Sequence, residues 1–200
     1  MTDPYFLISD RIVPVDRLFE CADDQRRILI EGAQGSGKST LSQKLAFGWS
    51  QEDDSDTASS SIANFHLVFF LHASQLQNQE SLAAAICQNL LPKDSNVSLD
   101  EMDSILKSTS LKILLIVDSF DEGFKDNRLL EELIKGERFQ HVTMIVTSRL
   151  NYLESKERYF DMLYQVQGYD WEHQKKHVVQ FALHKNIPLK QFDPLLEKMQ

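Results

Sequence analysis

Two hundred residues with 42% hydrophobic content are enough for one α/β domain and the start of another. A formal net charge of −9 argues against broad nucleic-acid affinity, and no apolar run reaches membrane-spanning length. The N-terminus lacks a leader pattern, and Cys21 and Cys87 form no C-x-x-C, so a reduced, cytoplasmic compartment is expected.

Residues 1–26 are mixed in character, and Val15, Leu18 and Phe19 suggest a short helix ahead of the first strand. Arg27 to Glu31 reads as a strand covered on both faces. Gly32-Ala33-Gln34-Gly35-Ser36-Gly37-Lys38-Ser39-Thr40 follows and satisfies G-x-x-x-x-G-K-[ST]. Three of the seven glycines lie between 32 and 37. Glycines let backbone N–H groups close around a phosphate, and the helix that follows aims its positive end at the same anion. Lys38 is expected at the β/γ-phosphates and the Ser39 hydroxyl on Mg²⁺. That helix, Lys38 to Trp49, is amphipathic.

Residues 51–63 are acidic and serine-rich without periodicity, the composition of a disordered surface loop. Phe65 to Leu71 is a second strand, and Ser81 to Leu91 and Asp100 to Lys107 are helices. Leu111 to Val117 is a third strand and runs into Asp118, with Asp121 and Glu122 just beyond. Ligands of open α/β sheets bind at the carboxyl ends of strands, which puts Asp118 at the edge of the phosphate loop. There it can share Mg²⁺ with Ser39, while Asp121 and Glu122 orient or deprotonate an attacking water. Asn127 to Lys135 is a helix that Gly136 suits as a terminator.

Val142 to Thr147 is a fourth strand and leads to Ser148-Arg149. Arg149 reaches a γ-phosphate only if this strand lies beside the phosphate-loop strand; otherwise it is a surface arginine. Met162 to Val166 is a fifth strand. Asp170 has the character of a helix N-cap for residues 171–184, and Leu189 to Met199 is a last helix. His173, His177 and His184 share a face of the 171–184 helix, which reads as solvated rather than metal-binding. Alternating strands and helices mean a mostly parallel α/β sheet.

The phosphate loop, the Leu114 to Glu122 motif and Thr147-Ser148-Arg149, in this order, resemble a NACHT domain of the STAND class of P-loop NTPases, the nucleotide-binding module of NOD-like receptors. Gly168-Tyr169-Asp170 is similar to the tripeptide that opens the family's helical domain. Ser119 stands where the family commonly has Gly, Leu150 where it has Pro, and His72 where it often has Arg. The resemblance implies a three-layer α/β/α P-loop NTPase with a five-stranded, mostly parallel sheet over 27–168. A lead-in at 1–26 and the beginning of a helical domain at 169–200 flank it. It implies ATP/ADP and Mg²⁺ as cofactors, slow hydrolysis, and self-association controlled by the bound nucleotide. Because the family continues into a winged-helix domain, the chain is expected to be a fragment or a reduced member.

Two other classes share the nucleotide motifs. An AAA+-like motor or loader ATPase should show substrate-gripping loops and a trans-acting arginine. A small-molecule kinase usually has an arginine-rich lid, and the only adjacent arginines are Arg26-Arg27. No [NT]-K-x-D guanine motif is present, so adenine is preferred.

Overall fold

The computed structural model describes residues 5–8, 11–14, 18–19, 27–50, 61–123, 127–167, 171–192 and 194. The chain divides into two compact units, Met1–Gln167 and Gly168–Gln200.

The first unit is built on β3 (Arg27–Gly32), β4 (Leu67–His72), β5 (Ile113–Asp118), β6 (Thr143–Ser148) and β7 (Met162–Val166). These run parallel in the order β7-β3-β6-β5-β4. Their sequences are near-continuous apolar runs because both sheet faces are covered. All six residues of β5 are buried. Side chains alternate between two cores. Ile28, Ile30, Leu114, Ile116 and Ile145 meet Leu41 and Leu45 of α1 (Lys38–Ser50). Leu29, Leu115, Val117 and Val146 face the opposite layer. That layer holds α2 (Leu82–Asn89), α3 (Leu99–Lys107) and α5 (Arg128–Lys135). Burying each such Leu or Ile is worth about 1.5–3 kcal/mol. The result is the expected three-layer α/β/α arrangement.

The five parallel strands are as expected, and two further strands extend the sheet to seven. β1 (Tyr5–Ile8) and β2 (Arg11–Pro14) form an antiparallel pair, and β1 joins the sheet beside β7. Four-residue strands carry too little alternation to stand out in a sequence. Of the short helix expected before the first strand, Leu18 and Phe19 lie in a turn, and residues 15–17 fall outside the described residues.

Local signals placed most helix ends. Ser98 and Glu101 form a reciprocal capping box at the start of α3. Ser81 and Asn127 cap α2 and α5 through their side chains. Gly136 ends α5 in the left-handed conformation at φ 72°. Of the stretch expected to be a disordered loop, residues 61–63 belong to the 3₁₀ turn Ser61–Asn64, with Ile62 buried against α1's core, while residues 51–60 lie outside the described residues. α4 (Phe120–Gly123) is a single turn after β5.

The second unit contains α6 (Trp171–His184), as expected, and a 3₁₀ turn at Leu189–Phe192 in place of the start of an α-helix. Pro194 explains the difference, since it has no N–H to donate to the carbonyl of Lys190. Phe181 and Phe192 meet edge to face at 6.3 Å within this unit. Asp170 and the residues from 195 onward lie outside the described residues, as does the side chain of His173; His177 and His184 are exposed. No group of three or more potential metal ligands occurs among the described residues.

Candidate functional site: a phosphate loop, a buried aspartate and an arginine turn

The loop after β3 has the backbone its sequence demands. Gly35 and Gly37 sit at φ 77° and 99°, where a side chain is strained. At Gly32 the constraint is space, because a Cβ would lie 2.5 Å from Ser36 Oγ and 2.8 Å from Val166 O. Ser36 N–H donates to Ala33 O at 3.2 Å, and α1 begins with Leu41 N–H donating to Gly37 O at 2.9 Å. Ala33, Gln34, Gly35, Ser39 and Thr40 are exposed, while Ser36, Gly37 and Lys38 are half-buried. Lys38 Nζ donates to Gly32 O at 2.8 Å and Ala33 O at 2.9 Å, which folds the ammonium over the loop. Burial lowers its pKa, the charges of Asp121 and Asp118 work against that, and Arg149 adds to it. Asp118, Asp121 and Arg149 therefore all sit within electrostatic reach of Lys38.

Strand order accounts for this convergence. β6 lies between β3 and β5, with Ile30 beside Thr147 and Glu31 beside Ser148. The condition set for Arg149 is met, since its strand is the immediate neighbour of the phosphate-loop strand. His72, at the end of β4, is aligned with Asp118. Its ring caps the following 3₁₀ turn through Ser74, with Nδ1 2.7 Å from Ser74 Oγ.

Asp118 is 3% exposed and held by hydroxyls. Thr147 Oγ1 donates to Oδ1 at 2.6 Å, and Ser119 Oγ donates to Oδ2 at 3.3 Å. Ser42 Oγ lies 3.2 Å from Oδ1 and 3.1 Å from Lys38 O. Thr147 Oγ1 also accepts the N–H of Ser119 at 2.9 Å. Ser119 is in the left-handed region at φ 58°, which accounts for the glycine that the sequence resemblance led us to expect there. Ser42 was not singled out from the sequence, and Ser119 and Thr147 were named there as parts of motifs, without a role at Asp118. Ser42 could have been found, since it lies three residues beyond Ser39 on the same helical face. Asp118 and Ser39 are hard oxygen donors of the kind Mg²⁺ takes alongside phosphate, so the donor set fits that ion. Thr147→Val keeps the shape but removes a donor and an acceptor. It should cost about 1–3 kcal/mol and lower Tm by roughly 2–4 °C per kcal/mol. A thermal melt within about 1 °C of wild type would mean the network does not hold the carboxylate in place.

The two acids beyond Asp118 differ in what the structure shows. Asp121 is 7% exposed at its side chain, and its Oδ2 is 2.6 Å from Arg149 Nε. The arginine is 53% exposed, so it bridges the buried acid and solvent. Asp121 and Arg149, given separate roles from the sequence, are partners of each other here. The side chain of Glu122 lies outside the described residues.

A glycine loop between a buried strand and a helix, with a carboxylate two strands away on the same parallel sheet edge, defines a P-loop NTPase fold. Residues 26–185 match the NACHT domain family model, and the chain belongs to that family. It is similar to human baculoviral IAP repeat-containing protein 1, at 26% identity over 140 residues, which cover 70% of this chain and 10% of that protein. It is also similar to the NLR family CARD domain-containing protein 4 of Bos taurus, at 30% identity over 127 residues, covering 62% and 12%. The chain thus spans about a tenth of the length of these relatives. Among solved structures it resembles a DNA replication initiation factor, with a TM-score of 0.57 at 18% identity over 92% of this chain and 53% of that one. It also resembles the Aeropyrum pernix ORC1 protein in complex with DNA, with a TM-score of 0.55 at 15% identity over 85% and 48%. At these identities the structural likeness speaks for the fold. No described helix is long and apolar enough to cross a membrane.

Proposed function

We propose that this chain is the nucleotide switch of a NOD-like-receptor-type protein acting in the cytoplasm. It binds ATP or ADP with Mg²⁺, hydrolyses ATP slowly, and controls self-association through the nucleotide it holds. The observation that carries this reading is the order β3-β6-β5, which brings the phosphate loop, Arg149 and Asp118 to one sheet edge. In this reading the amides of residues 33–38 cradle the phosphates and Lys38 contacts the β/γ oxygens. Ser39 and Asp118 hold Mg²⁺, which when bound neutralises phosphate charge. Arg149 distinguishes a terminal phosphate by charge and hydrogen bonding. Asp121 and Glu122 place or activate water. One oxygen of Asp121 is already engaged by Arg149, so a terminal phosphate that draws Arg149 away also frees that acid for water. Chemistry and nucleotide sensing are thereby tied together.

An AAA+-like loader is the second reading, favoured by the fold's likeness to a DNA replication initiation factor and to an ORC1 protein bound to DNA. The net charge of −9 weighs against the DNA contact such a role would need. The deciding experiment measures ATP and ADP affinity with and without Mg²⁺, beside a multiple-turnover hydrolysis rate. A switch should retain ADP tightly and turn over at about one per minute or slower. Turnover near the enzyme median of about 10 per second would overturn the switch and favour the loader.

A further inference from the structure

Buried side-chain oxygens without a hydrogen-bond partner mark places where a protein tolerates cost for function. Among the described residues these are Glu31 Oε1, Ser36 Oγ and Ser148 Oγ. All three lie in or directly beside the site's motifs. Ser36 is in the phosphate loop, Glu31 directly precedes the loop, and Ser148 directly precedes Arg149. Glu31 and Ser148 are aligned on the adjacent strands β3 and β6. They continue the alternation of Leu29 and Val146, so they face the layer opposite α1, away from Asp118 and Thr147.

Glu31 has no part in the nucleotide chemistry set out above, yet it is 5% exposed. Burial raises its pKa, the backbone N–H groups of Asn151 and Leu153 draw it back down, and Glu157 pushes it up. A carboxyl group here is costly where an aliphatic side chain would be cheap. The amides that act on it electrostatically belong to the turn that follows Arg149, and Leu153 of that turn is buried in the layer that Glu31 faces. Tyr152 N–H closes that turn on Arg149 O at 3.3 Å. Asn151 is left-handed at φ 58°, and Leu153 is buried in the core. The Tyr152 ring meets Phe120 edge to face at 6.3 Å, and Arg149 meets Asp121. The turn is thus tied to the β5 motif by a ring contact and an ion pair. On the phosphate-loop strand, Glu31 is a buried acid that faces the same layer as Leu153 of this turn.

We propose that Glu31 is a positioning residue that braces the 149–153 turn from the phosphate-loop strand, sets the height of Arg149, and so determines the preference for a nucleoside triphosphate over a diphosphate. This rests on the role given to Arg149 above. A carboxyl group suits the task because its oxygens can receive two backbone amides, which no hydrocarbon can do. Its place one residue before Gly32 makes any shift of the loop felt at the turn.

The test uses the intact chain and two readouts. Calorimetry gives ATP and ADP affinities. Hydrogen exchange gives the protection of the 149–153 amides without nucleotide. Glu31→Ala removes the brace, Glu31→Gln keeps the size and one acceptor oxygen, and Arg149→Ala is the comparison. For Glu31→Ala, exchange at Asn151 and Leu153 should speed up about tenfold or more. The ATP-to-ADP affinity ratio should fall at least about fivefold with ADP affinity held, a coupling of ordinary size. Glu31→Gln should fall between alanine and wild type on both readouts, and it decides alone if the alanine variant does not fold. Arg149→Ala should lose the ratio while the turn stays protected. Equal losses of ATP and ADP in the Glu31 variants would reduce the residue to a structural one and overturn the proposal. An unchanged ratio in those variants, beside a collapsed ratio in Arg149→Ala, would overturn it and leave the switch reading intact. An unchanged ratio in Arg149→Ala would instead remove the Arg149 role, and this proposal with it.

Discussion

Lys38→Ala should lose about 3 kcal/mol of nucleoside-triphosphate binding, roughly a hundredfold in Kd, while the fold survives. The lysine is half-buried, and its described hydrogen bonds go to Gly32 O and Ala33 O within its own loop. Removing it unsatisfies no distant group. Ala33 is exposed, so water can take over at its carbonyl. Melting should shift by no more than about 2 °C. Against a bound triphosphate the same ammonium makes charge-assisted contacts that nothing nearby replaces, since in the proposed arrangement Arg149 is already committed to the terminal phosphate. Calorimetric titration with ATP measures the loss. Unchanged affinity would remove the phosphate loop from the site.

Asp118→Asn should abolish the Mg²⁺ dependence of nucleotide binding at little cost in stability. The carboxylate sits among hydroxyl partners, and an amide can take its place almost atom for atom. The amide oxygen still accepts from Thr147, and the amide nitrogen can donate to Ser119 Oγ in place of the contact that Ser119 now makes to Oδ2. What disappears is the charge, which is what a hard divalent ion requires. The comparison is ATP affinity with Mg²⁺ and with chelator. In wild type the two should differ by about tenfold or more, and in the variant they should converge. A variant that keeps its Mg²⁺ response would place the ion on other ligands. Asp118→Ala is the poorer test, because it also strands the Thr147 hydroxyl and mixes a stability loss of about 1–3 kcal/mol into the result.

Much of this site is legible from residue order alone, for physical reasons that differ between its parts. The phosphate loop announces itself because glycine is needed at positive φ, and Gly35 and Gly37 do adopt it. β5 and β6 read as buried strands because covered parallel strands have no polar face; β5 ends on Asp118, and β6 ends one residue before Arg149. The sequence could not order the strands. Whether Arg149 faces the loop depends on β6 inserting between β3 and β5, a long-range pairing with no local signature. Nor could it pair Arg149 with Asp121, since each residue carried a sufficient role of its own. Glu31 escaped for a related reason. An acid at a strand end reads as solvent-facing, and only its burial in the folded chain shows otherwise. The β1–β2 pair was lost because two four-residue strands lie below the length at which periodicity means anything.

The crowding at Gly32 has one more consequence. The Cβ that this residue lacks would fall 2.8 Å from the carbonyl of Val166, the last residue of β7. The chain therefore leaves its sheet with less than a methyl group's clearance from the phosphate loop. Such a bearing has no slack, and packed protein interiors yield little under load. A displacement of the loop by a few tenths of an ångström must be absorbed by moving Val166 or be resisted outright. Gly32 acts as the gauge of that fit, and replacing it with even alanine would jam the loop against the strand by which the polypeptide departs.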